Sequence, residues 1–262
     1  MRKLIIVEGL PCSGKSTVSK HIADVLGMEC TDEGSGDHPA DYEFHAFLSE
    51  NELAEFQPDE QELILAAAKK RCGGYIVPIC SFSGDLFDRL LTHKIYDFLP
   101  WETEKPIMLD KWRSFTESAA SSAGHVFNCV FLQNPMCETM MRFGFDSSVS
   151  EGYIREIYDI IRPLKPFVVY LKTDNIAAEL KMAVPERGEE WLNGVIDYHC
   201  GGEYGKSLRL SGFEGYVSAL EERQRRELAI LGHLGIDSIV IENFKNDSQK
   251  AYDEILAALS AE

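Results

Sequence analysis

The chain has 262 residues, 45% hydrophobic and 26% charged, with a formal net charge of −17. That is the make-up of a soluble globule long enough for one sizeable core, and the chain reads as a single domain over 1–262. The acidic balance excludes long nucleic acids, which need a basic footprint, and no apolar run reaches the ~20 residues of a membrane span, so no membrane partner is expected. Net charge does not exclude a nucleotide, because a few local cations outweigh a distant acidic surface. Met1-Arg2-Lys3 leads straight into the first expected strand, leaving no room for a secretion signal. Seven cysteines without a C-x-x-C pair read as reduced thiols in a cytoplasm.

In chain order, the apolar run Leu4–Val7 predicts a first strand, and the pattern after it predicts a helix from Lys15 to Leu26 that stops at Gly27. A short second strand is expected over Met28–Thr31, followed by the acidic stretch "DEGSGDHPADYEF". Helices are expected over Tyr42–Ser49 and, after Pro58, over Asp59–Arg71. Tyr75–Cys80 reads as a strand that Pro78 confines to an edge or an irregular piece. A helix follows over Asp85–Phe98, then a buried strand over Ile107–Leu109 that ends in Asp110. Helical patterns cover Cys129–Phe143 and Glu151–Ile161, a strand covers Phe167–Leu171, and a helix starts near Asn175. The polar, glycine-bearing segment 185–210 reads as a lid. A long amphipathic helix over Phe213–Leu231, a strand over Ser238–Ile241 and a last helix from about Asp247 complete the chain. Short apolar runs alternating with helical patterns predict a parallel sheet of about five strands in a three-layer α/β/α fold.

The stretch "IIVEGLPCSGKSTVSKHIADVLG" contains G-x-x-x-x-G-K-S, with Gly9, Gly14, Lys15 and Ser16 as its signature. It stands between an expected strand and an expected helix, the context a phosphate-binding loop requires. Its glycines let successive N–H groups of the loop wrap a polyphosphate, and the loop residues Gly9, Pro11, Cys12, Ser13, Gly14, Lys15, Ser16 and Thr17 are the candidates for holding it. The helix that begins near Lys15 aims its positive end at the same anion. Lys15 can reach the β- and γ-phosphates of ATP, and the Ser16 hydroxyl can ligate Mg²⁺. Asp110, at the carboxyl end of an expected parallel strand, is the candidate for holding Mg²⁺-bound water beside Ser16.

"VEGLPCSGKST" resembles the phosphate loop of the thymidylate kinase and deoxynucleoside kinase families, including a glutamate before the first glycine, Glu8 here. "LDKWRSFTESA" is similar to their acidic strand-end motif, with Lys111 where those families usually carry arginine. The resemblance implies a P-loop NTPase of nucleoside- or nucleotide-kinase type that uses ATP and Mg²⁺, and it leaves a homodimer open. In deoxynucleoside kinases a carboxylate at the end of the second strand takes the proton of the substrate hydroxyl, and by position the candidates are Asp32 and Glu33. No arginine lies between Arg2 and Arg71, which favours a neutral hydroxyl acceptor, a nucleoside first, over a monophosphate. An antibiotic or other hydroxylated metabolite is a third acceptor class. Arg187 in the lid, with Lys181 and Arg209 nearby in sequence, and Arg113 beside Asp110 are candidates for stabilising charge on the transferred group. Trp112, Phe115, Phe131, Gln133 and Asn134 are candidates for an acceptor pocket. Tyr198-His199-Cys200 reads as lid structure, since no matching ligand spacing accompanies it. The motifs of a switch GTPase are missing: the one D-x-x-G lies at the end of the first helix, and "LKTD" lacks its leading residue. A regulatory module that binds ATP without turning it over is the non-enzymatic alternative.

Overall fold

The computed structural model describes residues 2–34 and 36–261. Met1 and one residue of the acidic stretch after Thr31 lie outside the described residues. Among the described residues eight strands run in chain order: β1 (Leu4–Gly9), β2 (Glu29–Thr31), β3 (His45–Leu48), β4 (Lys69–Arg71), β5 (Gly74–Pro78), β6 (His125–Asn128), β7 (Phe167–Lys172) and β8 (Asp237–Glu242). They form two sheets in two compact units, one made of Met1–Glu33 with Thr116–Glu262, the other of Gly34–Phe115.

The first unit holds a five-stranded sheet in the order β2-β6-β1-β7-β8, every neighbour parallel. Strands covered on both faces read as continuous apolar runs, and "LIIV" and "FVVYL" do so. On one face Ile5, Val7, Val126, Val169 and Leu171 pack with Val18 and Ile22 of helix Lys15–Leu26 and with Ile255 of helix Ser248–Ser260. The opposite face carries Tyr170, whose hydroxyl donates to Glu227 of helix Gly212–Leu234 at 2.6 Å. Sheet and helices on both faces give the expected three-layer α/β/α architecture, with the phosphate loop at the carboxyl end of the central strand. Among the described residues no helix is long and apolar enough to cross a membrane.

The second unit contains a three-stranded antiparallel sheet, β3-β5-β4, that corrects several expectations. Tyr42–Ser49 was expected as a helix, but His45–Leu48 is a strand whose Ala46 and Leu48 enter a core with Phe56, Ile64, Val77 and Leu90. The helix after Pro58 ends at Ala67 instead of reaching Arg71. Beyond it Cys72 and Gly73 take φ of 54° and 78°; two consecutive residues in that region make the tight turn that joins β4 to β5. β5 is the central strand of this sheet instead of an edge, and Pro78 is tolerated because it is the last residue. Asp85–Phe98 divides into helix Gly84–Leu91 and a short turn, Ile95–Phe98.

The largest correction concerns Ile107–Leu109, which lies inside helix Trp101–Ala119 instead of forming a strand. Met108, Trp112 and Phe115 are buried at the three- and four-residue spacing of a helix face, and Trp112 meets Phe115 edge to face at 6.1 Å. The strand next to β1 is instead β6, in a segment read as leading into a helix from Cys129. The helical part starts later, at Gln133.

Candidate functional site

The loop between β1 and helix Lys15–Leu26 turns through three residues with positive φ: Gly9 at 145°, Cys12 at 66° and Gly14 at 100°. Gly14 occupies the N-cap and brings no side chain to cap the helix. The first-turn N–H groups therefore face outward without an intrahelical partner, an anion site by geometry. Space forbids a side chain at either end of the loop. A Cβ at Gly9 would lie 2.5 Å from the Leu171 carbonyl oxygen, and one at Gly14 would lie 2.9 Å from the Phe244 ring. Gly9→Ala is expected to destabilise the fold by several kcal/mol, more than Gly14→Ala, because a strand carbonyl cannot retreat as a ring can. Urea unfolding of the two variants checks that order, and equal losses would refute it.

Lys15 is buried and folds back on its own loop, its ammonium donating to the Gly9 carbonyl at 3.0 Å and to the Leu10 carbonyl at 2.8 Å. Ser13 Oγ is buried with no hydrogen-bond partner among the described residues. Ser16 and Thr17 are exposed. Desolvation raises the Cys12 thiol above its ordinary value, while the charges of Arg187, Lys245 and Lys15 pull it down. Arg187 thus lies within electrostatic reach of the loop. It ends helix Ile176–Arg187, and its guanidinium sits 5.0 Å from the centre of the Trp191 ring.

Directly before the loop, Glu8 is fully buried and accepts three backbone hydrogen bonds, from Phe131 at 2.8 Å, Leu132 at 2.9 Å and Gln133 at 3.1 Å. It clamps the turn that follows β6 to the end of β1. Burial pushes its carboxyl up to about 7 against the pull of those three N–H groups, and Glu227 adds to the rise.

Asp32 and Glu33 follow β2, and two amides hold them. Asn128, the last residue of β6, donates through Nδ2 to Asp32 at 2.6 Å and stands 3.5 Å from Ser16 Oγ, while its Oδ1 accepts the Glu33 N–H at 2.9 Å. Gln133 donates to both Glu33 carboxylate oxygens at 3.1 and 3.2 Å. Lys20, one turn along the helix from Ser16, stands 3.5 Å from the other Asp32 oxygen. The Glu33 side chain is otherwise exposed.

The structure therefore brings together the loop residues, Asp32, Glu33 and Gln133, with Arg187 in electrostatic reach of Cys12 in the loop. It does not put Asp110 or Arg113 at a strand end. Asp110 lies in mid-helix in the second unit with its carboxylate taken by both arms of Arg71, at 2.7 and 3.1 Å. Lys111 faces the Tyr42 ring at 4.5 Å, and Arg113 is on the exposed side of the same helix. Trp112 and Phe115 are core, and Phe131 is buried beside the Glu8 clamp. The position expected for Asp110 is filled by Asn128, which sequence reading missed; its signal was the polar residue that interrupts "HVFNCVF".

Beyond the loop a cavity of about 240 Å³ lies between Ser13, residues 173–175 after β7, Glu179 and residues 243–246 after β8. Lys245 bridges to Glu179 of helix Ile176–Arg187 at 2.5 Å. The segment 185–210 is helical in the structure, over Glu189–Cys200 and Glu203–Leu208. His199 is buried there and stacks on Tyr216 at 5.2 Å, and burial lowers it to about 3. Lys181 lies over the Phe213 ring at 5.1 Å, and Arg209 is exposed. Among the described residues no three His, Cys, Asp or Glu side chains form a metal cluster.

No protein-family model and no curated protein matches the chain. Among solved structures it is similar to deoxyadenosine kinase from M. mycoides with bound dATP, at 15% identity and a TM-score of 0.46, covering 98% of this chain and 100% of that one. It is also similar to thymidylate kinase from Candida albicans (12% identity, TM-score 0.44, 98% and 92% covered). A third is shikimate kinase from Acinetobacter baumannii in complex with shikimate, at 14% identity, a TM-score of 0.39 and coverage of 100% and 97%.

Proposed function

We propose that the chain is an ATP-dependent phosphotransferase that moves the γ-phosphoryl group to a hydroxyl on a small molecule, a nucleoside first among the candidates. The observation that supports this most is an uncapped helix N-terminus whose Ser16 is joined through the Asn128 amide to the Asp32 carboxylate after β2, with the Glu33 carboxylate next to it on Gln133. The residues present fit a nucleoside triphosphate. Ser13 Oγ is a buried hydroxyl without a partner, and Gly9 and Gly14 leave a space that any Cβ would fill. The donor set also fits Mg²⁺, a cation that keeps several waters and takes one or two protein oxygens beside the phosphates. Ser16 and a carboxylate across Asn128 supply those oxygens. Mg²⁺ would supply charge neutralisation at the β- and γ-phosphates.

The chain's own residues then divide the work. The loop amides and the helix N-terminus hold the β-phosphate, and Lys15 exchanges its two carbonyl partners for phosphate oxygens. Arg187, on the lid-side helix, approaches the transferred group and offsets its developing charge. A carboxylate after β2 accepts the hydroxyl proton as the acceptor oxygen attacks phosphorus and ADP departs. The cavity beside Ser13 takes the base of the donor.

A nucleoside is favoured because the carboxylates after β2 are not accompanied by arginine anywhere between residues 2 and 71, as a phosphorylated acceptor would require. Gln133 also presents an amide beside them. The test is ADP release from Mg·ATP against a panel of nucleosides, nucleoside monophosphates and hydroxylated antibiotics. A nucleoside is expected to stimulate release. Stimulation by a monophosphate alone would overturn the acceptor assignment, and tight ATP binding without release would make the chain a regulatory module.

A further inference from the structure

The phosphotransferase reading leaves Asp32 and Glu33 interchangeable, yet the two carboxylates have different surroundings. Asn128 uses both ends of its amide. Its Oδ1 must face the Glu33 N–H, and its Nδ2 must face the Asp32 carboxylate, so the orientation is fixed by its partners. The same Nδ2 turns Asp32 toward Ser16, and Lys20 stands on the other Asp32 oxygen. Glu33 points elsewhere. Its two oxygens accept from Gln133 Nε2, and the Cys129 thiol also meets its carboxylate. Gln133 is 8% exposed, and its Oε1 is buried with no partner. An acceptor-type oxygen left open beside an exposed carboxylate is suited to a donor group on a ligand, such as a hydroxyl. The arrangement also explains an amide at the end of β6. A carboxylate at 128 would lie against Asp32 at the 2.6 Å now spanned by a hydrogen bond, and two like charges at that distance repel.

We propose that Asn128 and Gln133 are positioning residues that give the adjacent carboxylates separate roles. Asp32 is the carboxylate toward a divalent cation beside Ser16, taking the part of a strand-end carboxylate one strand over. Glu33 is the base that accepts the proton of the acceptor hydroxyl. In the transfer the acceptor O–H bond breaks and its proton goes to Glu33, the acceptor oxygen bonds to γ-phosphorus, and the bond from γ-phosphorus to the bridging oxygen breaks with its electron pair going to ADP. This division rests on the phosphotransferase reading.

The test measures by calorimetry how much Mg²⁺ improves the affinity for a non-hydrolysable ATP analogue, and separately measures ADP release. Asp32→Asn is expected to lose about tenfold of the Mg²⁺-dependent gain, and the exchange Asp32→Asn with Asn128→Asp to recover it. Glu33→Gln is expected to keep the gain while release falls about 100-fold. Asn128→Ala, which keeps both carboxylates but frees them, is expected to lower gain and release together. Loss of the gain in Glu33→Gln, or a folded exchange variant without recovery, would overturn the proposal. So would an Asn128→Ala protein that matches the parent in both measurements. A parent protein whose affinity ignores Mg²⁺ would instead sink the phosphotransferase reading itself, an outcome visible before any variant is made.

Discussion

Lys15→Ala is expected to lower acceptor-dependent ADP release by about two to three orders of magnitude while leaving the protein folded. The ammonium is buried against the loop, where it donates to two of the loop's backbone carbonyls. Under the proposed function those carbonyls are the bonds it would exchange for phosphate oxygens, so its charge would already stand beside the phosphates. Removing it takes a cation from a site whose chain has a net charge of −17. Arginine is not expected to rescue, because its planar fork is larger than the turn that an ammonium fills. The fold is expected to survive because a carbonyl left short of one donor is tolerated better than an orphaned N–H. Thermal melting checks the fold, and a steady-state ADP assay checks the rate. Unchanged release in a folded Lys15→Ala protein would mean that the loop does not serve phosphoryl transfer.

The phosphate loop was legible because every level agreed on it: an apolar strand, a fixed glycine spacing, and a helix whose start at Lys15 and end at Leu26 the structure reproduces. Strands β7 and β8 were legible for the same reason, each being a short apolar run between helical patterns. "PIMLD" misled because three buried apolar residues fit a strand and a helix equally well. What decides between them is the burial of Trp112 and Phe115 further on, and that depends on packing within the second unit. Assigning a strand there also hid β6, since a sheet reading with an acidic strand end already placed at Asp110 had no need of "HVFN". Asn128 therefore became visible only through register: Asn128 pairs with Val7, which puts it beside the loop. The ambiguity between Asp32 and Glu33 has a similar origin. Adjacent residues have the same local pattern, and the amides that separate them come from a segment far along the chain. The glycine-bearing segment 185–210 reads in sequence as a lid, yet at Gly205 the structure gives a packing reason for glycine, since a Cβ there would run into the Cys200 carbonyl.

Glu8 carries the largest expected effect on stability. Its carboxyl is fully buried and is the acceptor for three consecutive backbone N–H groups. Glu8→Ala would orphan all three, and at about 1–3 kcal/mol for each buried unsatisfied group the expected loss is about 3–9 kcal/mol. Glu8→Gln is expected to lose far less, because its amide oxygen still accepts while its NH₂ replaces only one acceptor. The pH dependence separates ionisation from hydrogen bonding. In the folded protein burial raises the carboxyl to about 7, whereas an unfolded chain releases the proton near 4.5. Between those values the folded state binds the proton and the unfolded state does not, so the contribution of Glu8 to stability falls as pH rises from about 4.5 to about 7. Below that window both states are protonated and the contribution is fully present; above it both are ionised and the loss is complete, about 3 kcal/mol in all. Urea denaturation at pH 5 and pH 8 measures it, as the difference between parent and Glu8→Gln. The variant, which cannot ionise, is expected to lack this part of the slope. Parallel pH profiles for the two proteins would show instead that the three N–H groups hold Glu8 ionised throughout, with the clamp acting as a fixed negative charge directly before the phosphate loop.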